Sequence, residues 1–430
     1  MNRLLMPFLP GLVLTLCVLQ HAEGAEVRCF VLQPPEHVLS GVQKVAVLDF
    51  AGQGWRAFSD YMIAALLEPN RGITTVKSGL FSKEKAGVSH LSGARTDVFT
   101  VVERNRLDAV IREQSLGNSG VVDEKQAASL GKVLGVDAVV IGSITPSSND
   151  QVTRREETVY SGGQKTRQLV DWVIRTVDVS VRMRVINTST GEILGTKAGK
   201  ADRRDTKIWS ERGGLASVES LIDDCLKELA CGDMVNYIAP RFVASKFKLK
   251  PIALKEYKAQ GQRAAEAAEN GDLDNAFVQY AAIQKNDPYN DAAYHNLGLL
   301  NEVVGNYAEA QDAYQKALAI RQDGDYSKSL ERCNTASAYA QTLATLGVEI
   351  VKHPFAVSEG QMQSASAGKV TLKGGSGDRV AIRAAAQSSA EIVARVPGGI
   401  ELELVEKSGG WIKVKTFDGK TGYVPKEQVK

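Results

Sequence analysis

Nucleophiles, general bases and metal sites are built most often from histidine, cysteine and paired carboxylates, so these side chains are placed first. The five histidines (His21, His37, His90, His295 and His353) are scattered along 430 residues, and none stands near a cysteine at zinc-ligand spacing. The sequence contains no CxxC, GxSxG or HExxH, and no glycine loop with the spacing that cradles a phosphate. Aspartate and glutamate are plentiful, but no spacing marks two of them as an acid–base pair. The pattern predicts a non-enzymatic protein without cofactor or metal, whose work is binding.

The cysteines depend on compartment. Arg3 precedes an apolar run from Leu4 to Leu19, broken by Pro7 and Pro10, and Ala22-Glu23-Gly24-Ala25 offers small residues for cleavage. Residues 1–24 therefore read as a secretory signal peptide, since the run is too short and proline-broken for a spanning helix. Cys17 does not suit lipid anchoring, because Leu16 stands where a small residue is needed. No later stretch is apolar enough to cross a bilayer as a helix. Export would leave Cys29, Cys225, Cys231 and Cys333 in an oxidising compartment. Cys225 and Cys231 on one continuous helix would lie roughly 9 Å apart, too far for a bridge. Either Cys29 pairs with one of them, or Cys225 is a small core residue of its helix.

Composition narrows the partners. Hydrophobic residues make up 43% and charged residues 24%, an ordinary globular balance, and a chain of this length divides into several domains. Fifty-two Lys+Arg against 50 Asp+Glu leave a net charge of +2, which gives no field to hold nucleic acid or an anionic membrane. An aromatic content of 6% also argues against a base-stacking surface.

Residues 40–245 read as an α/β domain. Val45–Phe50 is a buried strand closed by Ala51-Gly52-Gln53-Gly54. Ser59 or Asp60 is placed to cap a helix carrying Ile63, Leu66 and Leu67, which Pro69 and Gly72 stop. Val98–Val102 is a second strand leading into a helix with Leu107, Val110 and Ile111 on one face. Asp123 and Gln126 have capping-box spacing for a helix striped by Ala127, Leu130 and Leu134, and Asp137–Ile144 is a third strand. Val177 to Val185 alternates as a half-buried strand, and Asn187–Gly191 turns it back into Glu192–Gly199. An amphipathic helix with Leu215, Val218, Leu221, Ile222, Cys225 and Leu229 closes the domain.

Four words in this order, Lys44–Phe50, Val101–Leu107, Ala128–Asp137 and Val185–Glu192, resemble the CsgG family. The resemblance implies a CsgG-like α/β sandwich. It also implies one of two roles: an outer-membrane ring that exports curli subunits, or a periplasmic protein that binds partners without a pore. The pore-forming members insert two β-hairpins, which here would be Gln151–Gln168 and Thr196–Gly213. The first holds Arg154, Arg155, Glu156, Glu157, Lys165 and Arg167, and the second is as heavily charged, from Lys197 to Arg212. Lipid burial would cost roughly 2–4 kcal/mol per basic residue near the midplane. The long loop that pore-formers carry after the first strand is missing as well, because only Ala51 to Phe58 separate Phe50 from Ser59. A relative that makes no channel is expected.

Residues 255–350 match themselves at a period of 34, the tetratricopeptide length, with Gly271, Ala276 and Tyr280 recurring as Gly305, Ala310 and Tyr314. A third, degenerate unit over Tyr326–Leu346 would complete the core. Such helical hairpins present a concave groove to peptides, and its expected lining is His295, Leu299 and Glu302, with Ala265 and Glu269. These form no basic clamp for a terminal carboxylate, and a plain spacer is the alternative reading. A linker, 351–377, contains one apolar strand, Val370–Leu372. Residues 378–430 hold short alternating strands between glycine turns, and Gly409-Gly410-Trp411 with Gly419–Val424 resemble a small bacterial SH3-like β-barrel. Trp411 and Tyr423 either line its ligand cleft or belong to its core and rim.

The expected chain is thus multidomain, α/β then α then β, and is exported to the periplasm or envelope. It would be a scaffold that binds protein partners or peptidoglycan and is able to form a homo-oligomer. The alternative is an oligomeric outer-membrane secretion component of curli-type export.

Overall fold

The computed structural model describes residues 25–77, 84–102, 124–161, 164–355, 369–375 and 377–430. The expected signal peptide, the helix expected after Val102 and most of the expected linker lie outside them.

A five-stranded sheet carries the first domain, in the order β5 (Thr100–Val101), β2 (Lys44–Val47), β6 (Ala138–Ser161), β7 (Gln164–Asn187) and β8 (Ile193–Ile208). β5, β2 and β6 run parallel, and β6, β7 and β8 are antiparallel neighbours. Alternation sets the layers. Val177, Val179, Val181, Met183 and Val185 point to one face and are buried beneath α1 (Trp55–Leu67) and α3 (Val218–Leu229). Val139, Ile141 and Ile186 point to the other and pack on Ala127, Leu130 and Leu134 of α2 (Glu124–Leu134). A small ribbon, β3 (Thr75–Lys77) with β4 (Glu84–Ala86), stands apart from the sheet.

The first helix starts earlier than its sequence signals indicate. Gly54 caps it with φ 80, so Ser59 falls inside and donates to the Leu48 carbonyl at 3.2 Å. Gly52 explains the early entry: a Cβ there would overlap the Ile144 carbonyl, so only glycine lets the chain pass this close to β6. The turn after β7 is an Asx turn, in which Asn187 Oδ1 accepts from the amides of Ser189 and Thr190.

The hairpin strands differ more from expectation. β6 does not end at Ile144 but continues to Ser161, paired throughout with β7. Burial does not mark this extension, because from Gln151 to Leu169 the described side chains are exposed or half-exposed. Cross-strand charge pairs mark it instead: Asp150 with Arg175 at 2.7 Å, Arg154 with Asp171 at 2.7 Å and Glu156 with Arg167 at 3.6 Å. The second segment, Thr196–Gly213, is no hairpin. It lies along β7 as part of β8 and then coils into a short 3-10 turn, Trp209–Gly214.

A strand outside the expected domain joins its ends. β1 (Glu26–Gln33) pairs antiparallel with β9 (Arg241–Lys248). One face of this ribbon, through Val27, Cys29 and Phe247, is buried against a helical module, and the other, through Phe30, Leu32 and Phe242, meets Leu91, Leu343 and Val348. The module consists of α4 (Lys255–Glu269), α5 (Leu273–Asn286), α6 (Asp291–Val303), α7 (Tyr307–Ile320) and α8 (Gly324–Thr345), each touching the next in the chain. The period of 34 has a physical counterpart, since Gly271 and Gly305 turn with φ 82 and 88, and Ala276, Ala310, Tyr280 and Tyr314 are all buried. Tyr326–Leu346, expected as a third unit, is essentially the single long helix α8.

The C-terminal six-stranded sheet has the order β10 (Lys369–Thr371), β13 (Glu401–Ser408), β14 (Trp411–Lys415), β15 (Thr421–Pro425), β11 (Arg379–Arg383) and β12 (Ile392–Pro397). β10 falls in the stretch read as linker, yet it pairs with β13 and leads into Leu372, which is fully buried. This sheet docks on the helical module. Tyr289 stacks on Phe417 with ring centroids 5.2 Å apart and accepts from its amide, while Arg379 grips the buried Asp287 at 3.0 and 3.3 Å.

Candidate functional site

The helical face expected to receive a peptide already holds the chain's own segment. Asn296, fully buried in α6, accepts from the Lys250 amide at 2.8 Å and donates to the Lys250 carbonyl at 2.8 Å. Lys250 Nζ reaches Asp325 at 2.7 Å and lies over the Tyr326 ring at 5.4 Å. Ile252 fills a slot opened by Gly261, where any Cβ would overlap its side chain. An extended backbone pinned by one amide, with apolar side chains in pockets on either side, is how a helical groove grips a peptide. Here it grips residues Leu249–Ile252.

His295, Leu299 and Glu302 are consequently buried rather than open to a partner. His295 Nε2 is 3.1 Å from Ser329 Oγ, and its ring stacks on Tyr326 at 4.8 Å. Burial holds its pKa down to about 4, against a smaller upward pull from the Asn296 hydrogen bond, so the ring is neutral. Glu302 accepts from Arg332 Nε at 2.8 Å, from Arg332 Nη2 at 2.7 Å and from the Tyr314 hydroxyl at 2.7 Å. Burial alone would lower the Arg332 pKa, but the bonds to Glu302 outweigh it and keep the guanidinium charged. Of the three expected residues, Glu302 also borders a groove of about 400 Å³ between the β1–β9 ribbon and α8, along with Val31, Phe247, Tyr307, Arg332 and Tyr339. Ala265 and Glu269 border a second, smaller groove of about 300 Å³ beside Leu249–Ile252.

The expected disulfide is absent. Cys29 belongs to the ribbon–helix core, whereas Cys225 lies in the α/β core with Cys231 packed against it, and all are free thiols. The chain separates them because β1 turns its odd-numbered face toward the helices. Cys225 is the small core residue of α3, and burial pushes the Cys29 thiol up to about 12, far from thiolate chemistry. Cys225 and Cys231 do not share one regular α-helix either, since a π-turn spans Ala230–Met234. Among the described residues no group of three His, Cys, Asp or Glu is arranged to hold a metal.

The barrel presents a different kind of surface. Trp411, Lys413 and Lys415 alternate with the buried Ile412 and Val414, and Lys413 pairs in register with Tyr423. Trp411 and Tyr423 therefore sit on the outward face, one register step apart and half-buried, with Lys413 Nζ 5.7 Å from the Tyr423 ring centre. Neither belongs to the buried core. An outward row of indole, ammonium and phenol offers stacking and one charge-assisted donor to a ligand. Lys413 was legible as part of the alternation, and Asn296 and Arg332 were not. The signal for Asn296 was a poor helix former inside an apolar helix.

This combination defines a modular chain: an α/β domain, a helical module and an SH3-like sheet. The model of the family described as curli production assembly/transport component CsgG matches residues 88–269, and the bacterial SH3 domain matches residues 378–430. The first match begins beyond Lys44–Phe50 and runs on through α4. No curated protein matches the chain. Among solved structures, the LpoB C-terminal domain from Salmonella enterica is similar at 11% identity and TM-score 0.21, covering 39% of this chain and 84% of its own. Lipoprotein GNA1162 from Neisseria meningitidis is similar at 15% and 0.20, covering 38% and 84%. A PelC dodecamer from Paraburkholderia phytofirmans is similar at 12% and 0.19, covering 47% and 96%. Likenesses this weak carry no functional conclusion. The two domain matches fit an envelope scaffold or binding role, and among the described residues no helix is long and apolar enough to cross a membrane.

Proposed function

We propose that this chain is an exported, non-enzymatic scaffold of the bacterial envelope whose barrel binds cell-wall peptide through Trp411, Lys413 and Tyr423. The carrying observation is that these three side chains share one outward face of a barrel that Phe417 and Arg379 fasten to Tyr289 and Asp287 of the helical module. The helical module, of tetratricopeptide type in its 34-residue period, acts as a rigid spacer, because its groove is filled from within. The CsgG-type domain supplies the protein-docking or self-associating surface. In the test, the full chain is sedimented with purified peptidoglycan sacculi. Wild type should pellet and the Trp411→Ala/Tyr423→Ala variant should stay in solution with unchanged circular dichroism. A wild-type chain that remains in the supernatant removes wall binding from the proposal.

A second reading, curli-type secretion as an outer-membrane oligomer, is favoured by one observation. The β6–β7 hairpin forms and extends past the α/β core, where a two-stranded ribbon open on both faces needs further partners. Extraction only with detergent, together with conductance in planar bilayers, would establish it over the scaffold. Its paired charges speak for solvent or protein around the hairpin rather than lipid.

A further inference from the structure

The outward face that carries Trp411, Lys413 and Tyr423 extends further across the sheet. Register sets Glu406 of β13 opposite Lys413 of β14, Lys413 opposite Tyr423 of β15, and Tyr423 opposite Arg383 of β11. Partners directly opposed on antiparallel strands share a face. Gly422 and Val424 on either side of Tyr423 are buried, as is Ile382 beside Arg383, so the shared face is the outward one. Four neighbouring strands thus carry one row of acid, base, phenol and base.

Neighbouring strands about 4.8 Å apart place the backbones of Lys413 and Arg383 about 10 Å apart, with Tyr423 between them. Lys413 already leans over that ring, its Nζ 5.7 Å from the ring centre. Arg383 is held by a bond from Nη1 to the Ala390 carbonyl at 2.8 Å, which uses neither Nε nor Nη2. Other cations of the sheet are neutralised within the chain: Lys415 meets Glu403 at 3.7 Å, Lys420 meets Asp418 at 2.8 Å and Arg379 meets Asp287 at 3.0 Å. Among the described residues neither Lys413 nor Arg383 is in an ion pair of this kind.

We propose that this row is a carboxylate site, in which Lys413 and Arg383 hold the free carboxylate of a wall peptide from either side of the Tyr423 hydroxyl. Resting on the reading that the barrel binds cell-wall peptide, this adds the chemical group recognised and a fourth residue, Arg383. Ammonium, guanidinium and phenol are all hydrogen-bond donors, and an ionised carboxylate is acceptor-only. A primary amide in its place would turn N–H groups toward donors, so the site discriminates between the two. Glu406 closes the row on the far side of Lys413, where it repels an anion from β13 and directs it toward Arg383. One acid and two bases leave the row with one positive charge, which one carboxylate neutralises. Trp411, two residues along β14 from Lys413, offers its indole to the rest of the peptide.

Cosedimentation of the full chain with two preparations of peptidoglycan sacculi tests the site. One is untreated, and the other has its carboxylates converted to primary amides by carbodiimide and ammonium chloride. At near-physiological ionic strength wild type should bind the untreated wall about tenfold more tightly, the worth of a charge-assisted hydrogen bond. Arg383→Gln and Lys413→Gln should each lose about tenfold on the untreated wall and little on the amidated one. Lys413→Gln decides the question if loss of the Ala390 bond disturbs the fold of the other variant, which circular dichroism reports. Lys373→Gln, at an exposed position off the row, removes the same charge and should bind as wild type does. Wild type that binds both walls equally overturns the carboxylate site and leaves wall binding standing. A loss in Lys373→Gln equal to that in Lys413→Gln overturns the site too, by showing general attraction to a polyanion. Wild type that binds neither wall removes wall binding and the site with it.

Discussion

The Glu302–Arg332 pair makes a directional prediction, because its two partners differ in access to water. The Glu302 side chain is 2% exposed and the Arg332 side chain 39%. Removing the arginine with Arg332→Met gives up the guanidinium that lies over the Phe247 ring and leaves a carboxylate in the ribbon–helix core, with the Tyr314 hydroxyl as its remaining described donor. An uncompensated buried charge of this kind costs about 3–5 kcal/mol. Glu302→Gln keeps an oxygen for Tyr314 and an isosteric shape, and the guanidinium it abandons can turn outward to solvent. That change should cost only about 1–2 kcal/mol, the worth of weakened hydrogen bonds. The double variant should be more stable than Arg332→Met alone, since it removes the stranded charge. The chain has several domains, so a single unfolding transition is not assured, and the assay is hydrogen exchange of α6 and α8 amides in rising urea. An Arg332→Met variant no less stable than Glu302→Gln would refute the reasoning, and so would a double variant that sums the two costs.

Two further outcomes follow from buried contacts in the same module. His295 is neutral in the fold, with its pKa lowered from 6.5 to about 4, so the unfolded chain binds its proton first. Stability is complete above pH 6.5 and should decline by roughly 3 kcal/mol as the pH falls to about 4, a slope that His295→Gln should remove in urea titrations of the helical module. Gly261 lies inside α4, where alanine would ordinarily add about 1 kcal/mol of stability. Because the new methyl would overlap Ile252, Gly261→Ala should instead destabilise by about 1–3 kcal/mol, and Ile252→Ala in the same chain should reverse the sign of its effect on the melting temperature. Stabilisation by Gly261→Ala alone would show that the segment is not seated there.

How much was legible depended on whether burial imposed a period. The strand around Val177–Val185, the helix around Leu221–Leu229 and the barrel strands β11, β13, β14 and β15 each bury one face, so their residue patterns disclosed them. β12 was missed despite its apolar residues, because Ile392 to Ala394 are only partly buried and follow no clean alternation. The outer half of β6 was missed for a related reason: its pairing with β7 is held by backbone bonds and cross-strand charges, which leave no apolar alternation. β1 begins just after the apolar leader and pairs with a strand more than two hundred residues away, a contact no local pattern encodes. The same long range hid the fate of Cys29. Its type and the expected export signal invited a disulfide, but the register of β1 with β9 decides which core it enters.

The expected binding residues divide along the same line, and the division bears on what the helical module is for. His295, Leu299 and Glu302 were expected to line a groove, but a face is a site only if nothing in the chain covers it. Here Asn296 fixes the backbone of Lys250, Gly261 admits Ile252, and the ribbon covers Leu299 and Cys29 in one core. A groove filled this way cannot exchange ligands without unthreading the segment that leads into α4. What it does well is hold the strand β9, and with it the α/β domain, in one register against the helices. The barrel is fastened to the same module through contacts of Phe417 with Tyr289 and of Arg379 with Asp287. On the proposed function, recognition falls to the barrel's outward face and to the surfaces of the α/β domain, with the helices holding the geometry between them.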